Sequence, residues 1–307
     1  MRGAEVLTSA VCHTDGMGDD SDGGRQGLEK LTEGALAALE NIAENLGADG
    51  IVDDAIARAM SGIAAAGEEF VRRYHRLEID ADMAAPEEPV LFVANHGFGG
   101  VIDLNVFAVR AALDALTLDR PVTVLTHQLA WTLGVGRLLE PLGARPAGRD
   151  SAVEALDAGH HVLVFPGGDK DAGKTFADRN RVIFDGRAGF ADLALEQNVP
   201  IVPVVTAGAG ESLLVLSSGE GLARALRLDK IARLKTLPVS VSLPWGLNIG
   251  AVGLLPYLPL PTKLVTRVLT PMTPERDETA QQFAARVEHA MQDALTALTS
   301  GRRPLLG

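Results

Sequence analysis

Two residues in VLFVANHGFGGVIDLNVF have the chemistry of a proton-transfer pair. His96 follows an apolar run directly, and Asp103 comes seven positions later. A histidine titrates near neutrality, so it can take a proton from a substrate hydroxyl. A carboxylate beside it would hold the ring in one tautomer and stabilise the imidazolium that forms. Between them, Gly97, Gly99 and Gly100 let the backbone approach a ligand closely. Asp103 also has the type and place of a helix N-cap. The sequence leaves both roles open.

Other candidate nucleophiles lack context. Ser212 lies in GAGES, which is not the Gly-x-Ser-x-Gly elbow. Cys12 is the sole cysteine and lies in a Gly- and Asp-rich stretch. One cysteine excludes an internal disulfide and a cysteine-based zinc site. The segment GDKDAGKT (168–175) satisfies the P-loop pattern G-x-x-x-x-G-K-[ST] and follows the apolar HVLVF. A nucleotide hydrolase or kinase is therefore a rival reading. Against it stand Asp169 and Asp171, which would oppose a triphosphate in the cradle.

These residues need a frame. PVLFVA (89–94), PVTVL (121–125), HVLVF (161–165), PIVPVV (200–205) and LPVSVSL (237–243) read as strands. Residues 103–116, 129–140, 151–159, 186–198 and 220–235 read as helices, and 277–299 as a closing helix. Such alternation predicts an α/β domain with a largely parallel or mixed sheet flanked by helices. Ligands in these sheets bind outside the carboxyl ends of the strands. The loops 95–103, 126–128, 166–175 and 206–212 leave strands at that edge. His160 and His161 precede their strand and belong at the opposite edge. Upstream, residues 27–46 and a second segment ending near Leu77 have helical apolar spacing, separated by GADG. We divide the chain into a disordered tail (1–26), an N-terminal helical pair (27–80) and the α/β domain (81–307).

The blocks around these loops resemble the glycerolipid acyltransferases, which include 1-acylglycerol-3-phosphate, lysophospholipid and diacylglycerol acyltransferases. VANHGFGGVID is similar to their Asn-His…Asp block, here with a longer glycine loop. LGARPAGRD (142–150) stands where a block ending in Arg is expected. VLVFPGGDKD (162–171) resembles the Phe-Pro-Glu-Gly block in its Phe-Pro-Gly-Gly branch, with Gly167 in place of Glu. GRAGFADLALEQNVPIVPVV (186–205) resembles the fourth block, which ends Val-Pro-Ile-Val-Pro. The resemblance covers about residues 88–210, with the blocks in the family's order.

The resemblance implies an O-acyltransferase. His96 would act as general base and Asp103 as its orienting carboxylate, with no metal and no cofactor. The acyl donor would be acyl-CoA or an acyl carrier protein. The acceptor would be a lysophospholipid or a glyceride. By the same resemblance Asn95, Gly99, Gly100, Arg149, Pro166, Gly167, Gly168, Asp169, Lys170, Arg187 and Pro203 would line the substrate site. Arg149 would bind phosphate, and Lys170 keeps the charge of the usual Arg. Phe-Pro-Gly-Gly branches include enzymes that acylate neutral glycerides. A non-catalytic lipid-binding relative is the remaining alternative.

The charge pattern bears on partners. The 307 residues carry net −12. That balance argues against a binder that coats nucleic acid by neutralising phosphates. The acidity is N-terminal, with −7 over residues 1–50 and +3 over residues 201–307. Between Lys235 and Lys263 no residue is charged, and Pro238, Pro244, Pro256, Pro259 and Pro261 prevent one continuous helix. Trp245 and Tyr257 lie in that stretch, and aromatics beside apolar loops favour a bilayer interface. A buried strand with a Pro-rich crossover fits it equally well. We expect a cytoplasmic chain, peripherally associated with a membrane surface.

Overall fold

Apolar runs of four to seven residues bounded by Pro, Gly or Asn become strands, and the longer amphipathic segments become helices. The computed structural model describes residues 51–97, 103–132, 136–227, 236–250 and 257–307. The tail 1–26, the helix expected at 27–46, Gly99, Gly100 and residues 228–235 lie outside them.

The strands are β1 (Glu78–Ala81), β2 (Leu91–Ala94), β3 (Val122–Thr126), β4 (Ala144–Pro146), β5 (His161–Val164), β6 (Ile201–Ala207), β7 (Leu214–Ser217), β8 (Val239–Ser242), β9 (Gly246–Ile249) and β10 (Val265–Val268). The helices used below are α1 (Ile51–Arg73), α2 (Leu104–Ala115), α3 (Arg149–Asp157), α4 (Gly168–Ala172), α5 (Gly189–Gln197), α6 (Glu220–Ala225) and α7 (Ala280–Thr299). Seven strands form one sheet in the order β1-β10-β6-β2-β5-β3-β4. The run from β6 to β4 is parallel throughout. β10 runs antiparallel to β6, and β1 runs parallel to β10. This is the largely parallel, mixed α/β sheet that the alternation implied.

Both faces of this sheet are covered, so its central strands β2, β5 and β6 are buried and apolar except at His161 and Thr206. Leu91 and Val93 of β2 face one layer with Ala191, Ala194, Phe283, Val287 and Met291 of α5 and α7. Phe92 and Ala94 face the other layer with Val109, Ala112 and Leu113 of α2. Helix α1 lies on α2, with Val71 against Leu104 and Ala108 and an Arg110–Glu68 ion pair of 2.6 Å. A capping box at Thr279 and Gln282 starts α7.

Two boundaries move. β1 comes from the segment assigned above to the helical pair, yet it adds an edge strand to the main sheet. β8 comes from the expected strand 237–243 but leaves the main sheet. It joins β7 and β9 in a separate antiparallel sheet of three strands.

Candidate active site

The site forms where β2 ends between β5 and β6. Asn95 and His96 leave β2 at its carboxyl end. Asn95 is buried and continues the ladder toward β6. Its Nδ2 donates to Thr206 O at 3.1 Å, and Thr206 N donates to its Oδ1 at 2.9 Å. Asn105 Nδ2 donates to Asn95 O at 2.6 Å. The Asn95 side chain is thus a brace between strands rather than a group directed at substrate.

His96 and Asp103 meet. Nδ1 of His96 lies 2.6 Å from Oδ2 of Asp103. An ionised carboxylate only accepts, so Nδ1 carries the proton and Nε2 is left as the basic nitrogen. The other oxygen of Asp103 accepts from Asn105 N at 2.9 Å and caps α2. One carboxylate therefore fills both roles that the sequence left open. The ring of Phe165 stacks on the His96 ring at a centroid distance of 4.7 Å. The His96 side chain keeps 18% of its exposure, against 8% for Asp103.

A second, deeper pair holds the His96 peptide. His96 N donates to Asp171 Oδ2 at 2.6 Å, and Lys174 Nζ donates to His96 O at 2.8 Å. Lys174 and Asp171 bond each other at 2.8 Å, with both side chains sealed from solvent. Lys174 also donates to Arg181 O at 2.9 Å, and Ile183 N donates to Asp171 Oδ1 at 3.2 Å. This geometry corrects the P-loop alternative. In a phosphate cradle the Gly-Lys-Thr opens a helix and the lysine reaches the ligand. Here α4 ends before Gly173, and Lys174 spends its protons on protein oxygens.

The loop after β5 explains its two glycines. A Cβ on Gly167 would meet Asp171 Cβ and lie 2.5 Å from Ile183 O. The space that a longer side chain would need is filled by Asp171. Gly168 has φ +50 and lies against the Arg187 guanidinium.

The cations expected at the substrate site are all engaged within the chain. Arg187 donates to Pro166 O at 2.8 Å and to Asp169 at 3.1 Å. Lys170 donates to Asp185 at 2.7 Å. Arg149 pairs with Asp192 at 2.9 Å and with Glu196, both on α5. It follows β4, three strand positions from β2, a separation of roughly 14 Å at ~4.8 Å per strand. Arg149 is thus placed apart from His96. Pro203 is buried in mid-strand, where its carbonyl accepts from Leu269 N at 2.9 Å. It supports the sheet and does not stand at the loop edge. Pro166, Gly167, Gly168, Asp169, Lys170 and Arg187 do share one loop region beside His96.

Tyr257 is buried with Leu213 and Val215, as the buried reading of that stretch implied, whereas Trp245 is exposed. Burial pushes the Tyr257 phenol up, and the Asp103 charge adds to this against a Ser212 hydrogen bond. His160 and His161 lie at the opposite edge, as expected. His161 Nδ1 accepts from Val90 N at 3.2 Å, and burial lowers its ring below the usual histidine range.

Residues missed from the sequence are Asp171, Lys174, Phe165 and Asn105. Lys174 stood only as an element of a rival motif, and Asp171 as the end of a resembling block and an objection to that motif. Asn105 follows the predicted cap by two, which is the sole signal it gives.

Comparison with known proteins covers the segment that holds this site. Residues 66–207, which hold all of it up to β6, match the acyltransferase family model. Over that segment the chain is similar to this family. A Gallus gallus protein named as a DGAT1/2-independent enzyme synthesizing storage lipids is 27% identical over 227 residues, covering 73% of this chain and 60% of that one. A Mycobacterium tuberculosis protein named only as uncharacterized is 29% identical over 245 residues, covering 76% of this chain and 64% of its own length. The chain therefore spans about three-fifths of the length of these relatives. A solved structure, the 1-acyl-sn-glycerophosphate (LPA) acyltransferase PlsC from Thermotoga maritima, aligns with TM-score 0.46 and 16% identity, over 79% of this chain and 83% of that one.

Proposed function

We propose that the protein moves a fatty acyl group from a thioester to the hydroxyl of a neutral glyceride at a membrane surface. His96 Nε2 takes the hydroxyl proton as the acceptor oxygen attacks the thioester carbonyl. Asp103 holds the tautomer and stabilises the imidazolium. The carbon–sulfur bond then breaks, and His96 returns the proton to the leaving thiolate. The new ester and the free thiol balance the reaction. No metal or redox cofactor enters it. The donor is acyl-CoA, with an acyl carrier protein as the alternative.

The observation that carries the reading is the 2.6 Å contact between His96 Nδ1 and Asp103, which leaves Nε2 basic. The neutral acceptor is supported by the cations of the site. Arg187 and Lys170 are each paired to a carboxylate of this chain, so a phosphate would have to displace those partners. The storage-lipid name of the chicken relative points the same way. No helix among the described residues is long and apolar enough to cross a membrane, so contact with lipid would be made from the surface.

The test is to incubate the pure protein with labelled acyl-CoA and a panel of mono- and diacylglycerols and lysophospholipids, and to identify products by mass. The expected product is an acylated glyceride. Transfer to lysophosphatidate in preference to every glyceride would overturn the acceptor assignment.

A further inference from the structure

The small sheet β7-β8-β9 is built inside out. An antiparallel sheet with one wet face normally turns its apolar residues inward and its polar ones to water. Here Ser240 and Ser242 of β8 are buried. Val241, between them, points outward. It pairs across the strands with Leu214 and Leu247, and both of those are exposed. Leu216 and Ile249 extend this outward row, at 54% and 56% exposure, and Leu247 reaches 67%. Leu243, Trp245 and Leu258 border it and are exposed too. The three strands contain no charged residue. Contiguous apolar surface of this kind marks an interaction site rather than scattered exposure.

The neighbouring charge identifies the partner. Beside the sheet, α6 and its last turn expose Leu222 and Leu226 together with Arg224 and Arg227. Over residues 213–262, which carry the whole sheet, the sequence holds five basic and two acidic residues. The chain as a whole is at −12. A greasy face flanked by the exposed Arg224 and Arg227 of its neighbouring helix and turn, on an otherwise acidic protein, complements an anionic lipid surface. A second copy of this chain would bring the same positive charge against it.

The sheet is also tied to the catalytic loop. Phe176 N donates to Val215 O at 2.8 Å, and Thr236 Oγ1 donates to Asp169 O at 3.3 Å. Resting on the acyl-transfer reading above, we propose that the outward face of β7-β8-β9 docks the protein on an anionic phospholipid bilayer and so brings the His96 loop to its lipid acceptor.

The experiment measures cosedimentation with vesicles of three parts phosphatidylcholine to one part phosphatidylglycerol. It compares the full chain, the variant Leu216→Ser/Leu247→Ser/Ile249→Ser, and His96→Ala. The serines leave the net charge unchanged and replace exposed side chains, so the variant should keep its melting temperature. The expected result is vesicle binding by the full chain and by His96→Ala, weakened at least roughly tenfold in the triple variant. Transfer from acyl-CoA to a water-soluble short-chain glyceride should be unchanged in the triple variant. Wild-type vesicle affinity in the triple variant would overturn the docking face. So would a dimer in light scattering that the three serines dissociate. Loss of transfer to the soluble acceptor by the unmodified chain would instead count against the catalytic reading and leave the binding result to stand.

Discussion

Lys174→Met should be among the most damaging single changes outside the His96–Asp103 pair. The methionine fits the hydrophobic stem but removes three donated hydrogen bonds, to Asp171, His96 O and Arg181 O. It leaves Asp171 ionised and fully buried without its counter-ion. Breaking one side of a buried pair costs about 3–5 kcal/mol, because the remaining charge keeps its desolvation penalty. For a domain of this size, each kcal/mol lowers the melting temperature by about 2–4 °C. A drop of roughly 6–20 °C follows. Asp171→Asn on its own should destabilise through the same contact. The double variant Asp171→Asn/Lys174→Met should be less damaged than the sum of the singles, by about 2 kcal/mol or more. The assay is urea unfolding of the four proteins at pH 7, read as a double-mutant cycle. A Lys174→Met protein that melts within about 2 °C of the parent would refute the reasoning. Additive singles would refute it as well.

Three further outcomes follow from the same geometry. His75 is buried, and burial lowers its pKa to about 4, against a Thr262 carbonyl bond that raises it and an Arg76 charge that lowers it. Between that value and the unfolded 6.5 the unfolded chain binds the extra proton, so stability falls as pH falls through this window, by about 3 kcal/mol in all. In His75→Gln the loss measured by urea melts between pH 7 and 4 should shrink by that order, and an unchanged pH dependence would contradict it. Gly167→Ala needs no unusual backbone angle, yet its Cβ meets Asp171 and Ile183 O. It should cost about 1–3 kcal/mol and slow acyl transfer by displacing the loop, both visible in one preparation. Glu211 and Arg302 form another sealed pair, at 2.8 Å, that ties the C-terminal residues to the loop after β6. Arg302→Met should destabilise by about 3–5 kcal/mol in thermal melts, and a neutral result would show the pair to be dispensable.

The His96–Asp103 pairing was more legible in the sequence than the residues that support it. His96 and Asp103 were legible because residue type, a preceding buried strand and a glycine loop all point to one edge of a sheet. The central strands were legible because burial on both faces makes nearly every residue apolar. Asp171 and Lys174 were not, since a buried ion pair and two solvated charges are written with the same letters. Their role depends on Gly167 leaving room for Asp171, which only coordinates display. β1 and β10 were missed for a related reason. Their segments EIDA and VTRV are short and contain charges, and they become strands because VTRV pairs with β6 and EIDA then adds to it at the sheet edge. For β8 the alternation VSVS predicted a strand correctly, but the usual rule would have buried its valines. The structure buries its serines, and that reversal is visible only once the sheet is assembled.

Acyl transfer by His96→Ala, compared with Asp103→Asn, tests the central claim most directly. The assay follows thiol release from acyl-CoA in the presence of a monoacylglycerol, with folding checked by circular dichroism. Loss of transfer by at least about a hundredfold in His96→Ala is predicted, since general-base assistance contributes roughly 10²–10⁴-fold. Asp103→Asn should also lose transfer, because an amide at 2.6 Å from Nδ1 no longer fixes the tautomer that leaves Nε2 basic. Transfer at the parental rate by a folded His96→Ala protein would contradict the account.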